Sequence, residues 1–169
     1  LGVKKGDKVA IMQVNTNEVI ESYFATAKLD AIYVPLNFRA KAEELSFMIN
    51  NSEASALLVG GRYIPIANSI KKDLPHLKNI IAMEVPQVPQ AGQGGTKGIH
   101  EYESLITSAS PDDLTPESQD EDMTILMYTA GTTGAPKGVM LSHNSFSTYV
   151  LNNVSPADPE VEEKHILTV

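Results

Sequence analysis

The sequence predicts an α/β fold: a mostly parallel sheet with helices on both faces, plus a hairpin carrying a phosphate-binding loop. Three observations lead there. Short apolar runs such as "KVAIMQV" and "SALLVG" have little polar interruption, as expected of strands covered on both faces. Between them lie stretches whose apolar residues recur at helical spacing. The two kinds of segment alternate three times, at separations that suit strand–helix–strand crossovers.

Taken in order, Gly6-Asp7 turns the chain into a first strand over residues 9–14. In "TNEVIESYFATAKLD", Val19, Ile20, Tyr23, Phe24 and Ala27 fall on one helical stripe. "AIYVPLN" is a short β-rich run that ends at Pro35. "AEELSFMINN" returns to helix: Ala42, Leu45, Met48 and Ile49 align, and Glu43 and Glu44 suit its positive end. Asn50-Asn51-Ser52 stops it. The strand in "SALLVG" closes at Gly60-Gly61, and a helix over residues 65–72 and a strand in "NIIAM" follow. Residues 84–98, "EVPQVPQAGQGGTKG", keep no period and read as a loop or linker. "IHEYESLI" reads as one short helix. Beyond an acidic connector, "MTILMYT" and "GVMLSH" read as two strands, and Ser142 can cap a helix with Phe146, Tyr149 and Val150 on one side. No internal repeat is visible.

Composition narrows the function classes. The 169 residues suffice for one core-bearing domain, and apolar and charged content are ordinary for a globular protein. No apolar run is long enough to span a bilayer, and no signal segment opens the chain. Cysteine is absent, which removes thiolate zinc sites and thiol nucleophiles and fits a cytoplasmic location. The formal net charge of −8 arises entirely after residue 110. Residues 111–122 carry six acids and no base, and read as a solvated, partly mobile connector. Without a basic stripe, no nucleic-acid partner is expected. A leucine at position 1 reads as a processed chain or a piece of a longer one.

The chemistry concentrates in "YTAGTTGAPKGVMLSH", residues 128–143. A Walker loop needs G-x-x-x-x-G-K-[ST] between a strand and a helix. Counted from Gly131, its second glycine would fall on Pro136, and Gly138 stands where the magnesium-binding hydroxyl belongs. A dinucleotide G-x-G-x-x-G is missing too. What remains still suits a polyphosphate. Gly131, Gly134 and Gly138 allow backbone conformations that turn successive N–H groups to one side, where they bind anions. Thr129, Thr132 and Thr133 add hydroxyl donors. Lys137 supplies one mobile positive charge. The plainer reading is a glycine hairpin with incidental threonines, and the density of donors beside a lone lysine weighs against it.

This stretch closely resembles the phosphate-loop signature of the adenylate-forming (AMP-binding) superfamily, of acyl-CoA synthetase type. "GVKKGDKVAIM", "YFATAKLDAIYVPLN" and "AEELSFMINNSEASALLV" agree with that family in order and spacing, so the resemblance covers nearly the whole chain. It implies that Thr129, Gly131, Thr132, Thr133, Gly134 and Lys137 hold the β- and γ-phosphates of ATP. It further implies that a carboxylic acid is activated as its adenylate, with Mg2+ sharing the charge, and passed to coenzyme A as a thioester, with a lean toward fatty acids. Two departures stand out. Ala130 replaces a common serine, and Asp30 replaces the glycine usual before "A-x-Y-V-P", which puts that turn's tightness in doubt.

The motifs for the acyl pocket, adenine, ribose and catalytic lysine do not occur here. Residues 1–169 are therefore expected to be the N-terminal part of a larger domain, without the C-terminal domain and inactive alone, with "KHILTV" entering the next strand. A stand-alone nucleotide- or phosphate-binding module is the alternative, and a degenerate structural domain a third reading. His143 is expected to fix a strand-to-helix corner rather than to act as a base. His76, His100 and His165 lack metal-ligand spacing. Tyr33 and Phe38 read as packing residues. The oligomeric state cannot be read from the sequence.

Overall fold

The structure, a computed structural model, describes residues 1–84, 98–129 and 135–154. Seven strands form one sheet: β1 (Lys8–Met12), β2 (Ile32–Pro35), β3 (Ala56–Gly60), β4 (Asn79–Met83), β5 (Ile99–Glu101), β6 (Met123–Thr129) and β7 (Lys137–Ser142). Their order is β5-β4-β3-β1-β2-β6-β7. Every pairing is parallel except that of β6 with β7. The mostly parallel sheet and its terminal hairpin are those the sequence predicts.

Both faces of the sheet are covered because successive residues of each central strand are apolar and point alternately to the two faces. On one face Ala10, Met12, Leu57 and Val59 pack under helices α2 (Ala42–Ser52) and α3 (Ile64–Ile70). On the other, Val9, Ile11, Leu58 and Ile81 pack with residues of α1 (Asn17–Lys28) and α4 (Tyr102–Ser108). Helix α5 (His143–Asn153) follows the hairpin and is capped by Ser142, whose hydroxyl accepts from the Ser145 N–H. Its residues Phe146, Tyr149 and Val150 are exposed.

Three expectations need correction. "IHEYESLI" is not one helix: Ile99–Glu101 extends the sheet beside Ile80–Ala82, and the helix starts only at Tyr102. Glu101 divides them, its carboxylate accepting from the N–H groups of Glu103 and Ser104. The stripe expected on α1 holds only in part: Val19 and Tyr23 pack against the core. Phe24 is 59% exposed, whereas Ser22 and Thr26 are buried against the sheet side. Their hydroxyls donate to the carbonyls of Glu18 and Ser22 four residues back, so they bury without an orphaned polar atom.

The acidic connector is the third. Residues 111–122 are largely exposed, as expected, but they are pinned rather than loose. Asp30 sits in the left-handed region (φ 52°), and its carboxylate accepts from the N–H of Glu117 at 2.6 Å and of Ser118 at 3.1 Å. Lys5 pairs with Asp122 at 3.0 Å, and Lys28 pairs with Asp113. The residue that departs from the expected glycine is therefore a structural anchor, since aspartate tolerates the left-handed turn and grips two amides.

The Glu117 N–H, aided by Ser118 and Lys5, holds the Asp30 carboxyl below its ordinary 3.8. The Gln119 N–H and Lys5 do the same for Asp122, and Lys28 for Asp113. A depressed folded value means the attachment is complete above 3.8 and is lost as pH falls through the lower folded values. Hydrogen-exchange protection at Glu117 and Ser118, relative to the intrinsic rate, should therefore fall on acidification before that of β1 and β3. In Asp30→Gly the same two amides should lose protection at neutral pH. Unchanged protection in that variant would show that the carboxylate does not hold the connector.

Candidate nucleotide-phosphate site

β6 runs parallel to β2, so it ends at the same carboxyl edge of the sheet as β1, β3 and β4. Open α/β sheets bind ligands at that edge, outside the strand ends. The last residue of β6 is Thr129 and the first of β7 is Lys137, and the two are direct antiparallel partners. Cross-strand partners project to the same side of a sheet, so the Thr129 hydroxyl and the Lys137 ammonium share one face. Thr129 Oγ1 donates to the Lys137 carbonyl at 3.5 Å, a long contact that leaves both functional groups free to turn outward. Lys137 is exposed and forms no ion pair among the described residues.

Of the expected phosphate ligands, the structure thus brings Thr129 and Lys137 together. Gly131, Thr132, Thr133 and Gly134, with Ala130, lie outside the described residues, as do His165 and the strand expected in "KHILTV". Apart from its end residues, the 84–98 loop does too.

The strand order reverses between β1 and β3, where the crevice rule would first look for a ligand. Gln13 fills that point. Its Oε1 accepts from the Val14 N–H at 2.9 Å and its Nε2 donates to Glu84 at 2.6 Å. A Cβ on Gly60 would lie 2.4 Å from the Gln13 amide, so any side chain there would have to displace that amide from the crevice. With that crevice occupied, the remaining described part of the carboxyl edge is where β6 ends and β7 begins.

An apolar cleft of about 190 Å3 lies elsewhere, between α1, α4 and the sheet, lined among others by Val9, Ala56, Leu58 and Tyr102. It touches the start of β1 and β3, away from the strand ends. Among the described residues no three His, Cys, Asp or Glu side chains are grouped to hold a metal. At the strand-to-helix corner the backbone N–H of His143 donates to the Asp122 carbonyl at 3.2 Å, and that of Asn144 to the Asp120 carbonyl at 2.8 Å. Tyr33 is buried edge-on to Tyr23, with its phenol pushed up to about 12 by burial. Phe38 lies under the Arg39 guanidinium. Sequence reading missed Tyr128, which it took only as a strand residue, and Asn51, taken only as a helix end.

A family model described as AMP-binding enzyme matches residues 1–169. The chain belongs to the AMP-binding enzyme family. It is 34% identical to 4-hydroxybutyrate–CoA ligase 2 of Metallosphaera sedula, over 84% of this chain and 26% of that protein. It is 30% identical to the long-chain-fatty-acid–CoA ligase FadD13 of Mycobacterium tuberculosis, over 99% of this chain and 31% of that protein. The crystal structure of the anthranilate CoA ligase AuaEII in complex with anthranoyl-AMP superposes with a TM-score of 0.80 at 28% identity, over 89% of this chain and 27% of that one. The chain therefore spans less than a third of the length of these AMP-binding relatives. Its sheet and helices match those of the AuaEII structure, and no described helix is long and apolar enough to cross a membrane.

Proposed function

We propose that the complete protein is an ATP-dependent carboxylate–CoA ligase and that residues 1–169 form the N-terminal part of its large domain. A carboxylate oxygen attacks the α-phosphorus of ATP, the bond to the bridging oxygen breaks, and pyrophosphate leaves. The thiol of coenzyme A then attacks the acyl carbon and releases AMP. The observation that carries this reading is the pairing of Thr129 with Lys137 at the mouth of "GTTGAPK", in a chain that the AMP-binding model matches from end to end.

In this reading Thr129 donates a hydrogen bond to a terminal phosphate. Lys137 neutralises charge as it builds on the leaving pyrophosphate. The Thr132 and Thr133 hydroxyls and the amides around Gly131 and Gly134 complete the cradle. Mg2+, when bound, spreads charge over the β- and γ-phosphates. The relative that matches over 99% of this chain is named for long-chain fatty acids, which supports a fatty acid as substrate. The cysteine-free composition supports a cytoplasmic location.

The test is acid-dependent exchange of radiolabelled pyrophosphate into ATP by the complete protein. Palmitate, 4-hydroxybutyrate, anthranilate and no acid form the four arms. Exchange that needs an acid and is fastest with palmitate is expected. Faster exchange with either other acid overturns the fatty-acid assignment. ATP binding without exchange in any arm favours a nucleotide-binding module. Residues 1–169 alone should give no exchange, because one hairpin edge offers too few contacts to enclose a nucleotide.

A further inference from the structure

We infer that Tyr128 and Asn51 form a brace that sets the mouth of the phosphate loop, making both of them positioning residues for the terminal phosphates of ATP. This rests on the phosphate-binding role proposed above for Thr129 and Lys137.

Tyr128 is held from three sides. Its hydroxyl donates to Asn51 Oδ1 at 2.7 Å, across 77 positions of sequence. Its ring packs against the core cluster under α2, as Leu126 does two residues earlier on the strand. Its antiparallel partner is Gly138, where a Cβ would come within 3.6 Å of the ring and 3.0 Å of Leu126. Gly138 has no positive φ to account for it; a Cβ there would press on Leu126, while the Tyr128 ring lies over the glycine at ordinary van der Waals distance. Burial raises the Tyr128 phenol above its ordinary value, with the neighbouring Ser52 hydroxyl acting the other way, so it stays a neutral donor.

The far end of the brace is anchored as well. Asn51 lies in the last turn of α2, which Glu53 terminates in the left-handed region. The adjacent Asn50 side chain donates to the Asp73 carbonyl at 2.9 Å, fixing this turn to the end of the next helical segment. The residue after Tyr128 is Thr129, and the residue before Gly138 is Lys137. Both strands are thus fixed one residue away from the two phosphate-facing side chains, and on the opposite face of the sheet. A hydrogen bond placed there restrains the direction in which Thr129 and Lys137 project without touching the nucleotide itself.

A brace of this kind and a merely stabilising surface contact differ in one readout. ATP and pyrophosphate carry the phosphates that the loop would grip, whereas AMP lacks them. The experiment measures Kd for MgATP, pyrophosphate and AMP by calorimetric titration, with AMP also read by competition against a fluorescent nucleotide. It uses the complete protein and its Tyr128→Phe, Asn51→Ala and double variants. ATP and pyrophosphate should each bind about fivefold more weakly in either single variant, the scale of one hydrogen bond, with AMP unchanged. The double variant should be no worse than the singles, since they break the same contact. Asn51→Ala keeps the measurement decisive if the Tyr128 variant folds poorly, because Asn51 is exposed. Equal weakening for all three ligands, or none, overturns the brace. If Lys137→Ala neither weakens ATP binding nor slows pyrophosphate exchange, the phosphate-binding reading itself fails, and the brace with it.

Discussion

Lys137→Ala in the complete protein is expected to slow carboxylate adenylation about 100-fold, the usual effect of removing one preorganised group that meets developing transition-state charge. The reason lies in where the lysine stands. It opens β7 at the carboxyl edge of the sheet, is exposed, and has no carboxylate partner among the described residues to hold it elsewhere. Its charge is therefore available to a phosphate. In the ground state the charge of ATP is spread over the whole triphosphate. As the bond at the α-phosphorus breaks, negative charge gathers on the leaving pyrophosphate, and an ammonium that follows it is worth most at that moment. The loss should thus appear in kcat and in kcat/KM for ATP, with KM for the acid little changed. Lys137→Arg keeps the charge but replaces a compact ammonium with a planar fork, so it should recover only part of the rate. A Lys137→Ala enzyme with the unaltered exchange rate would remove Lys137 from the chemistry.

How much of this was legible in the sequence follows from what each signal depends on. The three strand–helix alternations were readable because each central strand is covered on both faces and is apolar almost throughout. Strand β5 was not, because its three residues are strand only by pairing with Ile80–Ala82, a contact that no local period encodes. The stripe of α1 was misjudged in part because hydropathy counts Ser22 and Thr26 as surface residues, and a hydroxyl bonded to its own helix can bury like a small apolar group. The pinned connector was hidden for a related reason: composition shows six acids but not that Asp30, Lys5 and Lys28 face them. At the site, the motif exposed Thr129 and Lys137 directly. Tyr128 lies inside the same motif, yet its partner Asn51 is 77 residues away, and only the fold brings the two together.

The two adjacent leucines of β3 should differ in cost, although their chemistry is identical. Leu57 is fully buried on the face under α2 and α3, between Ala10 of β1 and Ile80 of β4. Truncation to alanine leaves a void that its neighbours, fixed in adjacent strands, cannot close, so Leu57→Ala should cost about 4 kcal/mol. Leu58 points to the other face, retains 9% exposure, and lines the apolar cleft between α1 and α4. Some of its surface already faces open space, so fewer contacts are lost and the enlarged cleft stays open to solvent. Leu58→Ala should cost about 2 kcal/mol, the low end of the range for buried leucine. Native-state hydrogen exchange of the β1, β3 and β4 amides in the complete protein reads both values without requiring the whole molecule to unfold in one step. Equal losses of protection in the two variants would mean that the cleft closes around Leu58 in solution, and that both faces of the sheet are packed to the same density.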